Sequence, residues 1–266
     1  MNVVDRYNTT PFYIACYYGF LEIVKLLLTV EGVDIHKGND TNETPFWVAC
    51  RNGHIEVVKL LLSHQTVDIN STNKNNETPL CYACLKGIVG IVKLLLDDKR
   101  IIVNKAMRDG RTPFFVACQE GRVEIVKLLL SDQRVDINQP SKDGITPFYL
   151  ACEKVHVDIV QYILASGRDL NVSARGQDGK TAKEIVIQRT RIDTRRWEIL
   201  ARYSTRINKL TILAELMEEF ELDPSEARVK LRKQLGFSGN FNFFYFFIFF
   251  ILFSFSFNLI KYINRK

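Results

Sequence analysis

The residues with the most chemical reach in this 266-residue chain are six cysteines, four histidines and a single Gly-Lys-Thr triplet. Cys81 and Cys84 stand two residues apart, a spacing that suits dithiol redox chemistry or half of a metal site. However, Cys16, Cys50, Cys84, Cys118 and Cys152 recur every 34 residues, so Cys84 belongs to a pattern that packing explains without chemistry. His36, His54, His64 and His156 show no ligand spacing, and no metal site is expected. Gly179-Lys180-Thr181 resembles the end of a phosphate-binding loop, but that loop needs glycine where the chain has Ala174. No cofactor is expected. There is no Gly-x-Ser-x-Gly elbow, no carboxylate pair away from a helix surface and no nucleophile beside a base, so the residues do not point to an enzyme.

Charge narrows the function classes further. Residues 1–174 carry 19 Lys/Arg against 20 Asp/Glu, residues 175–240 carry 14 against 10, and residues 241–266 carry 3 against 0. Basic character is therefore confined to the C-terminal third. Residues 175–209 hold ten bases against four acids, an excess that can meet phosphate on a lipid surface or a nucleic acid. Glu184, Asp193 and Glu198 interrupt the bases, which favours a solvated helical face, and nucleic acid is not the expected partner. Asn8, Asn42, Asn70, Asn76 and Asn171 begin Asn-x-Ser/Thr triplets. The N-terminal residues lack the apolar run of a secretory signal, so a cytoplasmic, reducing compartment is expected and glycosylation is not.

The elements that would position these residues come from an internal period. TPFYIAC, TPFWVAC, TPLCYAC, TPFFVAC and TPFYLAC begin at Thr10, Thr44, Thr78, Thr112 and Thr146, each 34 residues after the last. Threonine caps a helix whose first residue is proline, where the missing N–H costs nothing. In the second unit Phe46, Ala49 and Cys50 give a short amphipathic helix, and Gly53 stops it with a left-handed residue. A second helix over about residues 54–63 is expected to bury Ile55, Val58, Leu61 and Leu62 and to leave Glu56 and Lys59 wet. Two positions before each threonine stand Asn8, Asn42, Asn76, Gly110, Gly144 and, in a weaker sixth copy, Gly179. These residue types tolerate positive φ, so one turn recurs six times.

This period, the Thr-Pro-Φ-x-x-Ala motif, the glycine between two short helices and the turn before threonine resemble ankyrin repeats over residues 1 to about 190. The histidine usual after Thr-Pro-Leu is replaced by Tyr13, Trp47, Cys81, Phe115 and Tyr149, so its tie to the threonine is expected to be missing. Val155 stands where the junction glycine belongs, which predicts a strained or reshaped turn. The expected fold is an all-α solenoid of five repeats over residues 1–175, with a degenerate sixth repeat and helical cap over residues 176–236. Within the cap, helices are expected over residues 180–191, 197–203 and 207–221, and from a capping start at Asp223-Pro224-Ser225-Glu226 to about Gly236.

The resemblance implies a protein-recognition module, a scaffold or adaptor without chemistry of its own. By the family's geometry its partner docks on the turn tips and on the exposed end of each first helix. The turn set here is Arg6, Tyr7, Asp40, Thr41, Glu43, Lys74, Asn75, Glu77, Arg108, Asp109, Arg111, Lys142, Asp143 and Ile145. The helix-end set is Tyr17, Tyr18, Arg51, Asn52, Leu85, Lys86, Gln119, Glu120, Glu153 and Lys154. The first repeat also offers Tyr13 and Phe20 with no earlier helix to cover them. The rival function is a membrane-surface or nucleic-acid-binding protein working through residues 175–209.

Residues 237–266 form a segment of their own. Eleven of the 18 phenylalanines fall between Phe237 and Phe257, and the 27 residues from Gln234 to Ile260 carry no charge. Residues 241–260 are long enough to cross a bilayer as a C-terminal anchor, with Lys230, Arg232 and Lys233 holding the repeats on the cytoplasmic side. The competing reading is a translated non-coding stretch, because the segment uses residue types with A/T-rich codons. The anchor is the preferred reading.

Overall fold

The computed structural model describes residues 2–195 and 204–236. Ten short helices come first, in pairs: α1 (Pro11–Tyr18) and α2 (Leu21–Leu28), α3 (Pro45–Arg51) and α4 (Ile55–Leu62), α5 (Pro79–Lys86) and α6 (Val89–Asp97), α7 (Pro113–Gln119) and α8 (Val123–Ser131), α9 (Pro147–Glu153) and α10 (Val157–Ala165). Three longer helices follow, α11 (Ala182–Arg195), α12 (Ser204–Leu222) and α13 (Pro224–Gln234). The first helices of successive pairs stack on one another in chain order, and so do the second helices. The fold is an all-α solenoid of paired helices with additional C-terminal helices.

Local chemistry sets each helix. Thr10, Thr44, Thr78, Thr112 and Thr146 all have extended backbone, and each hydroxyl accepts the backbone N–H three residues on. That bond satisfies a donor left orphaned at a helix start, and the following proline is preset for the helix. The turns before these threonines place Asn8, Asn42, Asn76, Gly110, Gly144 and Gly179 at φ between 61° and 85°. The second helices start differently: no side chain caps them, and a break of two or three residues after the first helix delivers the chain.

Packing departs from the expected pattern in two ways. In α3 every residue from Pro45 to Cys50 is buried, so the helix has no wet face until Arg51. An inner helix is covered by the inner helices before and after it and by its own outer helix, leaving no side for water. In α4 the buried set is Val57, Val58 and Leu61, while Ile55 is exposed and Leu62 half-buried. Val57 is turned toward the preceding repeat, a face that a single amphipathic helix does not have. The outer-helix core residues Val58, Val92, Val126 and Val160 are all fully buried one period apart.

Val155 takes φ 62° where Gly19, Gly53, Gly87 and Gly121 take 68–82°. The junction is not reshaped; a β-branched residue occupies the left-handed turn, an arrangement that costs roughly 1–3 kcal/mol.

At the C-terminal end α11 packs on α9, and α12 and α13 pack on α10. Asp223 caps α13 by accepting from the N–H groups of Ser225 and Glu226. Leu213, Met217, Phe220, Ala227 and Leu231 are buried and continue the core past the last regular repeat. The helix expected over residues 197–203 lies outside the described residues, and α12 begins at Ser204 rather than 207. The hydrophobic segment 237–266, with its proposed span over 241–260, also lies outside them. Among the described residues no helix is long and apolar enough to cross a membrane.

Candidate protein-docking edge

The turn tips form a continuous ribbon. Asp40 N–H donates to the carbonyl of Tyr7, Lys74 to Thr41, Arg108 to Asn75 and Lys142 to Asp109, at 3.3, 2.9, 3.4 and 2.8 Å. Each tip is thus fixed to the next through a recurring backbone bond, and Arg108 adds a side-chain bond to the carbonyl of Lys74 at 2.7 Å. Arg6, Tyr7, Asp40, Thr41, Lys74, Asn75, Arg108, Asp109, Lys142 and Asp143 are all exposed there.

The residue just before each threonine does not belong with them. Glu43 is 8% exposed. Its carboxylate accepts from Arg51, 3.0 Å from both oxygens, and from Asn39 Nδ2 at 3.2 Å. The phenol of Tyr13 lies 3.4 Å from it. The expectation that Glu43 is a docking contact is corrected: it is an internal anchor, because a residue entering the threonine cap turns inward. Burial first and the Glu43 charge second push the Tyr13 phenol well above its ordinary pKa. Glu77, Arg111 and Ile145, at the equivalent positions, are half-buried. Glu77 accepts from Asn73, and Arg111 bonds Asp109 and Gln119.

The helix-end set is mixed. Tyr17, Tyr18, Asn52, Lys86 and Lys154 are exposed, whereas Arg51, Leu85, Gln119, Glu120 and Glu153 are half-buried. Gln119, Glu120, Glu153, Lys154, His156 and Arg189 line a shallow surface depression of about 520 Å³ at the C-terminal side of this edge. Arg189 of α11 donates to the carbonyl and carboxylate of Glu153, so the cap helix partly claims that residue.

Sequence reasoning missed the residues that hold the edge rigid. In the place of the family histidine, Tyr13, Trp47 and Tyr149 reach forward into the next turn rather than back to the threonine, while Phe115 has no polar atom to do so. Trp47 Nε1 donates to the carbonyl of Glu77 at 2.9 Å, Asn39 donates to the Tyr13 hydroxyl at 2.9 Å, and the Tyr149 hydroxyl bonds Asp178 at 3.2 Å. Burial, then the Asp178 charge, pushes Tyr149 up to about 12. Two further ladders run with the repeat. Asn70 and Asn104 each donate to one backbone carbonyl of the next unit and accept from one of its N–H groups, at 2.7–2.9 Å. Arg100 donates to Leu62 O at 2.9 Å, Arg134 to Leu96 O at 2.8 Å and Arg168 to Asp132 O at 3.0 Å, each meeting carbonyls at the end of the previous outer helix. Hydrogen bonds from Arg100 and Arg134 hold Asp98 and Asp132 below the ordinary carboxylate range. The signal for both ladders was present as Asn and Arg recurring at one period.

The chemically reactive types are buried. All six cysteines are free thiols in the interior. Burial pushes Cys16 and Cys81 up to about 12 and holds Cys84 well above its ordinary value, so Cys81 and Cys84 present no thiolate. Among the described residues no group of three His, Cys, Asp or Glu could hold a metal ion. Four described bases of the 175–209 region are paired, Arg175 with Glu184, Lys180 with Asp178, Lys183 with Glu221 and Arg189 with Glu153, while Lys209 is exposed.

Comparison with known proteins follows this geometry. A family model described as ankyrin repeats matches in three overlapping copies, over residues 1–73, 65–141 and 99–174. Among solved structures, the chain is similar to an ankyrin-repeat domain from Acinetobacter baumannii AYE, with 24% identity over 70% of this chain and 92% of that one and a TM-score of 0.62. It is also similar to the ankyrin-repeat protein EF0377, with 27% identity over 67% and 90% of the two chains and a TM-score of 0.61. The ankyrin-repeat domain of Bcl-3, a member of the IkappaB protein family, matches with 21% identity over 69% and 80% and a TM-score of 0.63. No curated protein matches the chain.

Proposed function

The chain belongs to the ankyrin-repeat family, and from that premise we propose that it is a non-enzymatic scaffold or adaptor that docks a protein partner along the ribbon of turn tips. One observation carries this reading. At the tips the side chain changes in size and charge from repeat to repeat, while the backbone bonds beneath it recur. Thr41, Asn75, Asp109 and Asp143 occupy one position, and Asp40, Lys74, Arg108 and Lys142 its neighbour. A fixed frame with variable exposed groups is what recognition by side-chain chemistry needs. The basic tips Lys74, Arg108 and Lys142 lie on consecutive repeats, so an acidic or acceptor-rich peptide segment is the partner chemistry they fit.

The test is a triple variant, Lys74→Ser, Arg108→Ser and Lys142→Ser, compared with the wild type in partner capture by affinity purification. Capture should be lost while thermal unfolding stays the same, and Lys25→Ser with Lys59→Ser on the outer helices should retain it. Equal capture by both variants would remove the tips from the reading.

A membrane role is proposed only for residues 241–260, on their length and lack of charge. A reporter carrying residues 230–266 should resist carbonate extraction from membranes; recovery in the soluble fraction rejects the anchor. The ion pairs of Arg175, Lys180, Lys183 and Arg189 weigh against the rival phosphate-binding role.

A further inference from the structure

Charge is segregated along the last described helix. From Ala227 to Lys266 the chain has seven Lys/Arg and no Asp/Glu. Arg228, Lys230, Arg232 and Lys233 lie in the last turns of α13, and the acids Asp223 and Glu226 stand at its start. Glu219 of α12 holds Lys230. Among the described residues no carboxylate pairs with Arg228, Arg232 or Lys233.

Packing fixes where these bases stand. Ala227 and Leu231 are buried in the core, and α13 lies on α10. Arg228 and Arg232, one turn apart, flank the turn that closes α10. Arg228 Nη2 donates to Arg168 O at 3.2 Å, and Arg232 Nη1 lies 3.8 Å from where a methyl group on Gly167 would sit. The Arg228 guanidinium also lies 5.3 Å over the Phe220 ring, and its Nε is buried without an acceptor. Arg232 and Lys233 are exposed, and Val229 beside them is 53% exposed. Helix dipoles favour cations at the C-terminal ends that meet here, which accounts for Arg228 on a carbonyl. Among the described residues Arg232 and Lys233 keep their donors for a further anion.

We infer that this end of α13 binds the phosphate groups of an anionic bilayer surface through Arg228, Arg232 and Lys233. The inference rests on the membrane reading of residues 241–260 and extends it to the folded part of the chain. α13 ends at Gln234, where the uncharged stretch to Ile260 begins. Phe241 is seven residues past Gln234, a reach of at most about 25 Å even when fully extended. A span entering the bilayer at Phe241 therefore keeps these bases within that reach of its headgroups. Guanidinium groups match phosphate oxygens in pairs, and bases beside a membrane segment gain from anionic lipid. Val229 offers that surface one apolar group. A nucleic acid fits less well, because Glu215, Glu218, Glu219 and Glu226 gather at the junction of α12 and α13 and break any longer basic track.

Flotation of the full chain, delivered from mild detergent to vesicles of phosphatidylcholine alone or mixed with phosphatidylserine, tests this. The wild type should float several-fold more with the mixed vesicles at low salt, and the excess should shrink as salt rises. Arg232→Gln with Lys233→Gln should remove most of that excess and unfold at the wild-type temperature, since both positions are exposed. Adding Arg228→Gln should weaken it further, and Lys25→Gln with Lys59→Gln on the outer helices should leave it unchanged. Equal flotation of the wild type with both vesicles overturns the inference, as does an excess that survives Arg232→Gln with Lys233→Gln. Capture by duplex DNA in preference to the mixed vesicles, lost in that variant, would overturn it in favour of a nucleic acid. A carbonate wash separates this site from the anchor. An excess on mixed vesicles without carbonate resistance supports the headgroup site and rejects the span, whereas resistance with equal flotation rejects the site alone.

Discussion

The two ends of the solenoid treat the same problem in opposite ways. At the trailing end Cys152 and Val160 would face solvent, but α11 lies over α9 and α12 and α13 over α10, so both are fully buried. At the leading end Ile14, Ile23 and Leu26 hold the positions that later repeats cover, and they remain exposed. A helix-pair repeat has two unlike apolar faces, and stacking satisfies only those with a neighbour. Closing one end with extra helices uses part of the chain, and among the described residues the other end has no such cover.

The largest test concerns the middle, where both faces are satisfied. Leu95→Ala, at a fully buried site in α6, is expected to cost about 3–4 kcal/mol. It should uncouple the repeats on either side, seen as exchange of amides in both α4 and α8. Leu27→Ala, half-buried in the first repeat, should cost about 1–2 kcal/mol and speed exchange only nearby. Equal loss of protection along the chain for both would mean that the ends and the middle form one cooperative unit.

The ends themselves are compared by Leu213→Ala and Leu26→Ala. Leu213, in the cap helix α12, is 0% exposed and Leu26 is 65% exposed. Denaturant titration in dilute solution should give losses of about 3 kcal/mol and under about 0.5 kcal/mol respectively. Similar values would show that the cap adds little to the end it covers.

A smaller effect separates the same ladder inside and at the edge. Asn104→Ala removes bonds to Arg134 O and Asp136 N–H between two packed repeats, and about 1–2 kcal/mol should be lost. Asn2 makes the same pair of bonds to Gly32 O and Asp34 N–H from an exposed position, so Asn2→Ala should cost only a few tenths of a kcal/mol by the same titration. The smallest change is a gain. Val155→Gly relieves the left-handed backbone at the repeat nearest the cap, less the packing that its half-buried side chain supplies, and should raise stability by about 0.5–1 kcal/mol in thermal unfolding. A loss would mean that the packing of Val155 outweighs its strain.

Most of the architecture was legible in the sequence, because its causes are local. Thr-Pro sets a helix start through one side chain and one fixed φ, and Asn or Gly marks a turn through the sterics of one residue. Both recur at a fixed spacing that no tertiary contact is needed to see. The same reasoning misjudged Ile55, which is exposed, and did not name Val57, which is buried, because a helix between two repeats has a second covered face that a lone amphipathic helix lacks. It misplaced Glu43 for a related reason: its partners Asn39, Arg51 and Tyr13 come from four to thirty residues away, and only the stacking of α1 on α3 brings Tyr13 to it.

The sequence by itself determined the repeat, its helix starts, its turns and the family, since each depends on short-range sterics and hydrogen bonding repeated in register. Only the tertiary structure decided which turn residues point outward, which periodic asparagines and arginines bridge repeats, and which apolar face is left uncovered. Those outcomes depend on which neighbouring repeat or helix is present, and equivalent positions of the repeat meet water in one place and another helix in the next.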